Sequence, residues 1–169
     1  MRYRALPSAE HVREALEYIP ETGQFHWRKS GRPAGHIQTF QKGTTKEHKR
    51  RVIRLGDTLY IATRLAWAIM TGAAPDQEID HRDGDSLNDR WENLRLASHS
   101  QNMGNQRRRA DNRSGFKGVS WDNFTGRWVA RIREPGGRYR NLGRFENAAS
   151  ASRAYMQAAQ TLHGEFARA

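Results

Sequence analysis

Apolar and polar positions change period several times along this chain, and each change marks an expected element. Val12, Ala15, Leu16 and Ile19 recur three and four residues apart, which predicts a helix over about 9–18 with Ser8 as its cap. Pro20-Glu21-Thr22-Gly23 reads as a turn, and the alternation in Gln24-Phe25-His26-Trp27 as a strand. Residues 28–49 are polar and glycine-rich and predict a loop or hairpin. Arg51–Leu55, with Val52, Ile53 and Leu55 apolar, and Thr58–Ile61 flank Gly56-Asp57 and predict two short strands. Leu65, Ala66 and Ile69 form a helical stripe over 62–70, ended by Thr71-Gly72, with Pro75 barring continuation.

The second half punctuates more sharply. Glu78-Ile79-Asp80-His81 predicts a short strand, Asp83-Gly84-Asp85 a turn, and Asn93-Leu94-Arg95-Leu96 a second strand. Ser98 then caps a short helix to about Gln106. Residues 107–113 form a basic linker. Three strands follow at 118–121, 127–133 and 138–142, and a helix runs from Ala148 to His163, capped by Asn147 and stopped by Gly164. The reading is an α+β chain in four segments: an extension over 1–76, a strand–loop–strand–helix unit over 77–106, the linker over 107–113, and a three-stranded sheet with one helix over 114–169.

Composition narrows what such a chain can be. Only 36% of its 169 residues are hydrophobic, which supports small cores instead of one large one. The absence of cysteine excludes disulfides and thiolate zinc sites. The N-terminus lacks the apolar stretch of a signal peptide, and no run approaches the ~18 apolar residues of a membrane span. A cytoplasmic protein with no membrane partner is the expectation.

Charge points to a polyanion. The net charge is +11 and the isoelectric point about 10.8. It is concentrated over 107–144, net +8, and over 1–50, net +5, while 51–106 carries −2. The acidic dip coincides with the strand–loop–strand–helix unit, where Asp80, His81, Asn93 and Asn102 bring together a carboxylate, an imidazole and two carboxamides. Asp80 can give a hard divalent ion an anionic oxygen and Asn102 a neutral one. His81 follows Asp80 on an extended strand and so points to the opposite side, where it can take a proton from water. Asn93 can tie loop backbone and fix the imidazole. Asp83 and Asp85 do not make a calcium loop, because with Gly84 at position six Ile79 and His81 occupy positions that need acids.

Taken together, Asp80-His81, a glycine-containing loop, Asn93-Leu94-Arg95 and Asn102 resemble the HNH endonuclease family, the phage and intron-encoded homing type. Tyr60 to Trp67, Gly72-Ala73-Ala74-Pro75 and Pro20 to Arg28 are similar to the segments that precede the motif in that family. The resemblance implies a ββα-metal fold. It implies His81 as general base, Asp80 and Asn102 as ligands of one Mg²⁺ or Mn²⁺, Asn93 as the residue that orients the loop, and no zinc. Asn102 stands at the third named position, where other members have His.

On residues 127–133, Arg127, Val129, Arg131 and Arg133 are expected on one face of a strand and Trp128, Ala130 and Ile132 on the other. A basic sheet face of this kind can read a DNA groove. Ser114-Gly115-Phe116-Lys117-Gly118-Val119-Ser120-Trp121, Trp128-Val129-Ala130, Leu142-Gly143-Arg144-Phe145 and Ala154-Tyr155 resemble, in that order, the AP2/ERF DNA-binding domain. That resemblance implies DNA contacts from Lys117, Arg127, Arg131, Arg133, Arg138 and Arg140. The whole reads as a monomeric, metal-dependent endonuclease that nicks double-stranded DNA, with a DNA-binding regulator carrying an inactive HNH module as the alternative. RNA ranks lower as a substrate, because the sheet is expected to expose no aromatic pair for base stacking.

Overall fold

The computed structural model describes residues 5–44, 47–106, 108 and 111–168. Lys46 and, within the basic linker, Arg107, Arg109 and Ala110 lie outside the described residues. The chain forms two compact units, Met1–Leu96 and Ala97–Ala169.

The first unit opens with α1 (Ala9–Ala15), whose Ser8 side chain accepts the His11 amide. The expected helix stops three residues early. Leu16 and Tyr18 are buried and Glu17 is exposed, so the chain switches to period two and becomes β1 (Leu16–Ile19), paired antiparallel with β2 (Gln24–Trp27). Val12 and Leu16 fit both periods, which is why the helical stripe read through the boundary. The polar stretch after β2 holds β3 (His36–Phe40), which pairs with β4 (His48–Leu55), longer than the expected 51–55. β5 (Thr58–Ile61) completes a three-stranded antiparallel sheet in the order β3-β4-β5. α2 (Ala62–Thr71) follows and ends at Gly72 in the left-handed conformation. Val12, Leu16, Phe25, Ile53, Leu65 and Leu94 lie at the centre of this unit's core.

β6 (Glu78–His81) and β7 (Leu94–Ala97) form a two-stranded sheet. Asn93, expected to start the second strand, instead closes a 3-10 turn over Trp91–Asn93. That leaves its carboxamide for the loop between the strands.

The second unit begins with α3 (His99–Asn105), where Ser98 and Gln101 form a reciprocal capping box. β8 (Val119–Asp122), β9 (Arg127–Arg133) and β10 (Tyr139–Phe145) make an antiparallel sheet with β9 central. α4 (Ala148–His163) packs on it, with Ala151, Tyr155 and Ala159 meeting Val119, Ala130 and Ile132 in the core. The small alanines let helix and sheet approach closely. The chain is therefore α+β, with a three-stranded antiparallel sheet packed on the C-terminal helix. Among the described residues no helix is long and apolar enough to cross a membrane.

Candidate functional site

The β6–β7 unit places Asp80 and His81 as neighbours with different surroundings. Asp80 is buried, 5% exposed, and its Oδ2 accepts from Arg95 Nε on β7 at 2.9 Å. This bond fixes the rotation of the carboxylate. The His81 side chain is 13% exposed, and its Nε2 lies 3.1 Å from Oδ1 of Asp89. A carboxylate only accepts hydrogen bonds, so in the neutral ring Nε2 carries the proton and the lone pair lies on Nδ1.

Asp89 is a residue the sequence reading missed. It is 2% exposed and lies between His81, on one oxygen, and Arg51 of β4, whose Nε is 3.4 Å from Oδ2. The N-terminal hairpin holds it from behind. The Tyr18 hydroxyl donates to its carbonyl at 2.6 Å, and Gly23, at φ +72°, packs directly on its backbone with no room for a Cβ. Burial pushes the Tyr18 hydroxyl well above its ordinary value of 10, and the Asp89 charge adds to the shift. In the sequence Asp89 is one acid among several in a turn-rich loop. Only the acidic dip in a basic chain hinted that one of them is buried to serve a neighbour.

Asn93 is buried, 7% exposed, and clamps the loop. Its Oδ1 accepts from the Asp83 amide at 3.0 Å, and its Nδ2 donates to Asp83 Oδ1 at 3.0 Å and to the Asn88 carbonyl at 2.8 Å. Asp83 in turn accepts from the Asp85 amide and from Asn88 Nδ2. Partial burial raises the Asp83 carboxyl, but these bonds, with the nearby His81, outweigh it and hold the group below its ordinary value. Asp83 and Asp85 thus spend their oxygens on turn amides, with Leu87 donating to Asp85 at 3.0 Å.

Asn102 lies on α3, one turn past the Ser98 cap, in the second unit. A carboxylate and a carboxamide are hard oxygen donors. With water completing the shell they suit Mg²⁺, which takes few protein ligands, and they do not suit zinc. Among the described residues no three His, Asp or Glu side chains are grouped to hold a metal.

On the sheet of the second unit, Arg127, Arg131 and Arg133 are exposed and alternate with half-buried Trp128 and buried Ala130 and Ile132. Val129 shares their face yet is 1% exposed, flanked by Arg127 and Arg131 and paired with Arg144 and Ser120. A bulge in β10 between Asn141 and Gly143 decides which other arginines join them. Arg144 pairs with Val129 and falls on the arginine face, a residue the sequence reading missed. Arg140 pairs with Ile132 and falls on the helix side, where its Nε meets Glu134 at 3.2 Å. By that register Arg140 lies on the face opposite the one that carries Arg131 and Arg133. Arg138 is exposed in the β9–β10 connection, its carbonyl accepting the Glu134 amide.

Lys117 is half-buried, and its ammonium donates to the Gly104 and Gln106 carbonyls, both at 2.6 Å. The structure thus turns it to the end of α3 and not to the arginine face. Burial pushes its pKa down to about 8, with repulsion from Arg168 adding to it. The sheet does expose aromatics, Tyr139 at 71% and Trp121 at 48%. By register they lie on opposite faces, Tyr139 opposite Arg133 and Trp121 opposite Trp128, so they form no stacking pair.

Comparison with known proteins finds two families along the chain. The HNH endonuclease family matches residues 60–104, and the AP2 domain matches residues 114–165. Protein 3.8 of Escherichia phage T7 is similar to the chain, 35% identical over 105 residues that cover 60% of this chain and 84% of that protein. No solved structure matches.

Proposed function

The chain belongs to the HNH endonuclease family and carries an AP2 domain, and on that premise we propose that it is a metal-dependent, homing-type endonuclease that nicks one strand of double-stranded DNA. The observation that carries this reading is the His81 imidazole, held at 3.1 Å by an almost fully buried carboxylate, Asp89. A histidine at a strand end with no chemistry to perform has little use for a buried anion whose desolvation must be offset. Held this way, the imidazole presents Nδ1 as the base that takes a proton from the attacking water. Asp89 keeps the ring in one tautomer and stabilises it when protonated, and Arg51 balances the carboxylate. Asn93 ties the loop so that the ring does not drift.

Asp80 and Asn102 are the proposed ligands of one Mg²⁺ or Mn²⁺ ion, on donor chemistry and motif order. When bound, such an ion supplies positive charge to the scissile phosphate and the leaving oxygen. Arg95 orients the Asp80 carboxylate toward that task. Arg127, Arg131 and Arg133 form the proposed DNA contacts of the sheet, and Arg144 joins them by register. One active site in a cytoplasmic, monomeric chain gives a nick and not a double-strand break.

Incubation of supercoiled plasmid with the full chain and Mg²⁺ or Mn²⁺ tests this. The expected product is open-circle DNA, abolished by His81→Ala with DNA binding retained. No nicking under any divalent ion overturns the reading. Function that survives His81→Ala but not loss of Arg131 and Arg133 marks a DNA-binding regulator instead.

A further inference from the structure

Helix α3 carries Asn102, yet it belongs to the compact unit that also contains the AP2 sheet and α4. With seven residues it is too short to persist on local bonding alone. Its far end is held by three features of the AP2 module. Gly104 is buried inside α3, where a glycine is otherwise destabilising. A Cβ at Gly104 would lie 2.8 Å from Cγ of His163, so the glycine is what lets the α3 backbone rest on that ring. His163 is 8% exposed in the last turn of α4. Lys117, in the segment just before β8, donates to the Gly104 and Gln106 carbonyls, placing a cation at the helix C-terminus where the dipole favours it. The turn Gly164–Phe166 also packs against α3.

We infer that the AP2 module is part of the nuclease scaffold as well as a DNA-binding domain: Lys117 and His163 are positioning residues that fix α3, and through it the Asn102 carboxamide. The inference rests on the nuclease reading above. It explains why Lys117 is half-buried in a basic, DNA-binding module, its ammonium turned to two main-chain carbonyls.

The test uses full-length Lys117→Met, Lys117→Arg and Gly104→Ala. It measures single-turnover nicking of saturating supercoiled plasmid across a Mn²⁺ titration, duplex affinity by anisotropy in Ca²⁺, and hydrogen exchange of the peptide covering 99–105. Lys117→Met and Gly104→Ala are expected to slow nicking at saturating DNA roughly 10–100-fold, as misplacement of a catalytic group does. Both should raise the Mn²⁺ needed for half-maximal rate and speed exchange across α3, with duplex affinity changed less than about twofold. Lys117→Arg, which keeps donors on a long stem, should recover most of the rate. Nicking at the unmodified rate by a folded Lys117→Met, or a rate loss matched by an equal loss of affinity, overturns the inference and leaves the nuclease reading standing. An unmodified chain that nicks under no ion overturns both, and that outcome is recognised from the unmodified chain alone.

Discussion

Tyr18 and Asp89 stand 71 residues apart, yet the Tyr18 hydroxyl donates to the Asp89 carbonyl at 2.6 Å. The N-terminal hairpin thereby supports the backbone of the residue that holds the His81 ring. Tyr18→Phe removes this donor and leaves a buried carbonyl short of a partner, at a cost of about 1–3 kcal/mol. Alkaline pH probes the same bond. The folded-state pKa of Tyr18 is raised above its ordinary value of 10. Its contribution is therefore complete below pH 10 and is lost as pH rises toward the folded value, because only the unfolded chain ionises there. Thermal unfolding from pH 8 to 11 should show a steeper alkaline decline for the unmodified chain than for Tyr18→Phe. Equal slopes would mean that the hydroxyl contributes nothing.

Asp89→Asn keeps the shape of the side chain and removes its charge. The amide can accept the Nε2 proton through its oxygen, so the ring remains oriented, but the protonated imidazole loses its counter-ion and Arg51 loses a partner. Nicking at saturating DNA should fall roughly 10–1000-fold, the range seen when a group that stabilises developing charge is lost. DNA affinity should be unaffected. Asp89→Ala should fall further and should also unfold more readily, since it leaves a space behind the ring. Nicking by Asp89→Asn at the unmodified rate would reduce Asp89 to a packing residue.

Much of this architecture was legible in the residues. The caps Ser8, Ser98 and Asn147 each accept the amide three residues on, and the helix over 148–163 keeps its expected ends, because capping is a local event. The α1–β1 boundary was not legible, since Val12 and Leu16 satisfy both helical and strand spacing and tertiary pairing with Phe25 and Trp27 decides between them. At the candidate site the motif residues stood out by type and order. Asp89, Arg51 and Tyr18 did not, because each acts across the fold and carries no local signature. The β10 bulge was equally silent: one extra residue puts Arg144 on the face opposite Arg140, and nothing in Asn141-Leu142-Gly143 states that beforehand except a glycine inside a strand.

Asn93→Ala removes three loop hydrogen bonds at a buried position. The Asp83 amide and the Asn88 carbonyl are then left to find other partners, and stability should fall by about 2–3 kcal/mol. Acid unfolding gives an independent check. Asp83 is held below its ordinary carboxyl value, so it contributes stability above pH 3.8 that is lost as pH falls through its folded value. In Asn93→Ala that acid limb should flatten, because one of the bonds holding the carboxyl down is gone. Denaturant melts at pH 7 and pH 3 measure both effects, and an unchanged midpoint at pH 7 would remove Asn93 from the account of how the loop is held.

The register of β9 and β10 separates arginines that the sequence treats alike. Arg131 and Arg133 are exposed on the face away from α4, whereas Arg140 is opposite Ile132 and meets Glu134 at 3.2 Å. If the face away from the helix tracks a phosphate backbone, each arginine lost from it removes one released counterion. The log–log slope of affinity against salt then shrinks by about 0.9 per contact. Arg131→Ala with Arg133→Ala should flatten the slope by roughly 2 and weaken binding at low salt for every sequence tried. Arg140→Ala should leave the slope nearly unchanged, since its guanidinium is on the other face. Arg144→Ala should behave like Arg131→Ala, because the bulge brings Arg144 opposite Val129. Its ion pair with Asp122 at 3.6 Å is half-exposed, a contact worth little in water and readily exchanged for a phosphate. Anisotropy titrations at 50, 100 and 200 mM salt with the unmodified chain and each of these variants distinguish the two faces. A slope that falls as much for Arg140→Ala as for Arg131→Ala would assign DNA to the helix side and overturn the face assignment.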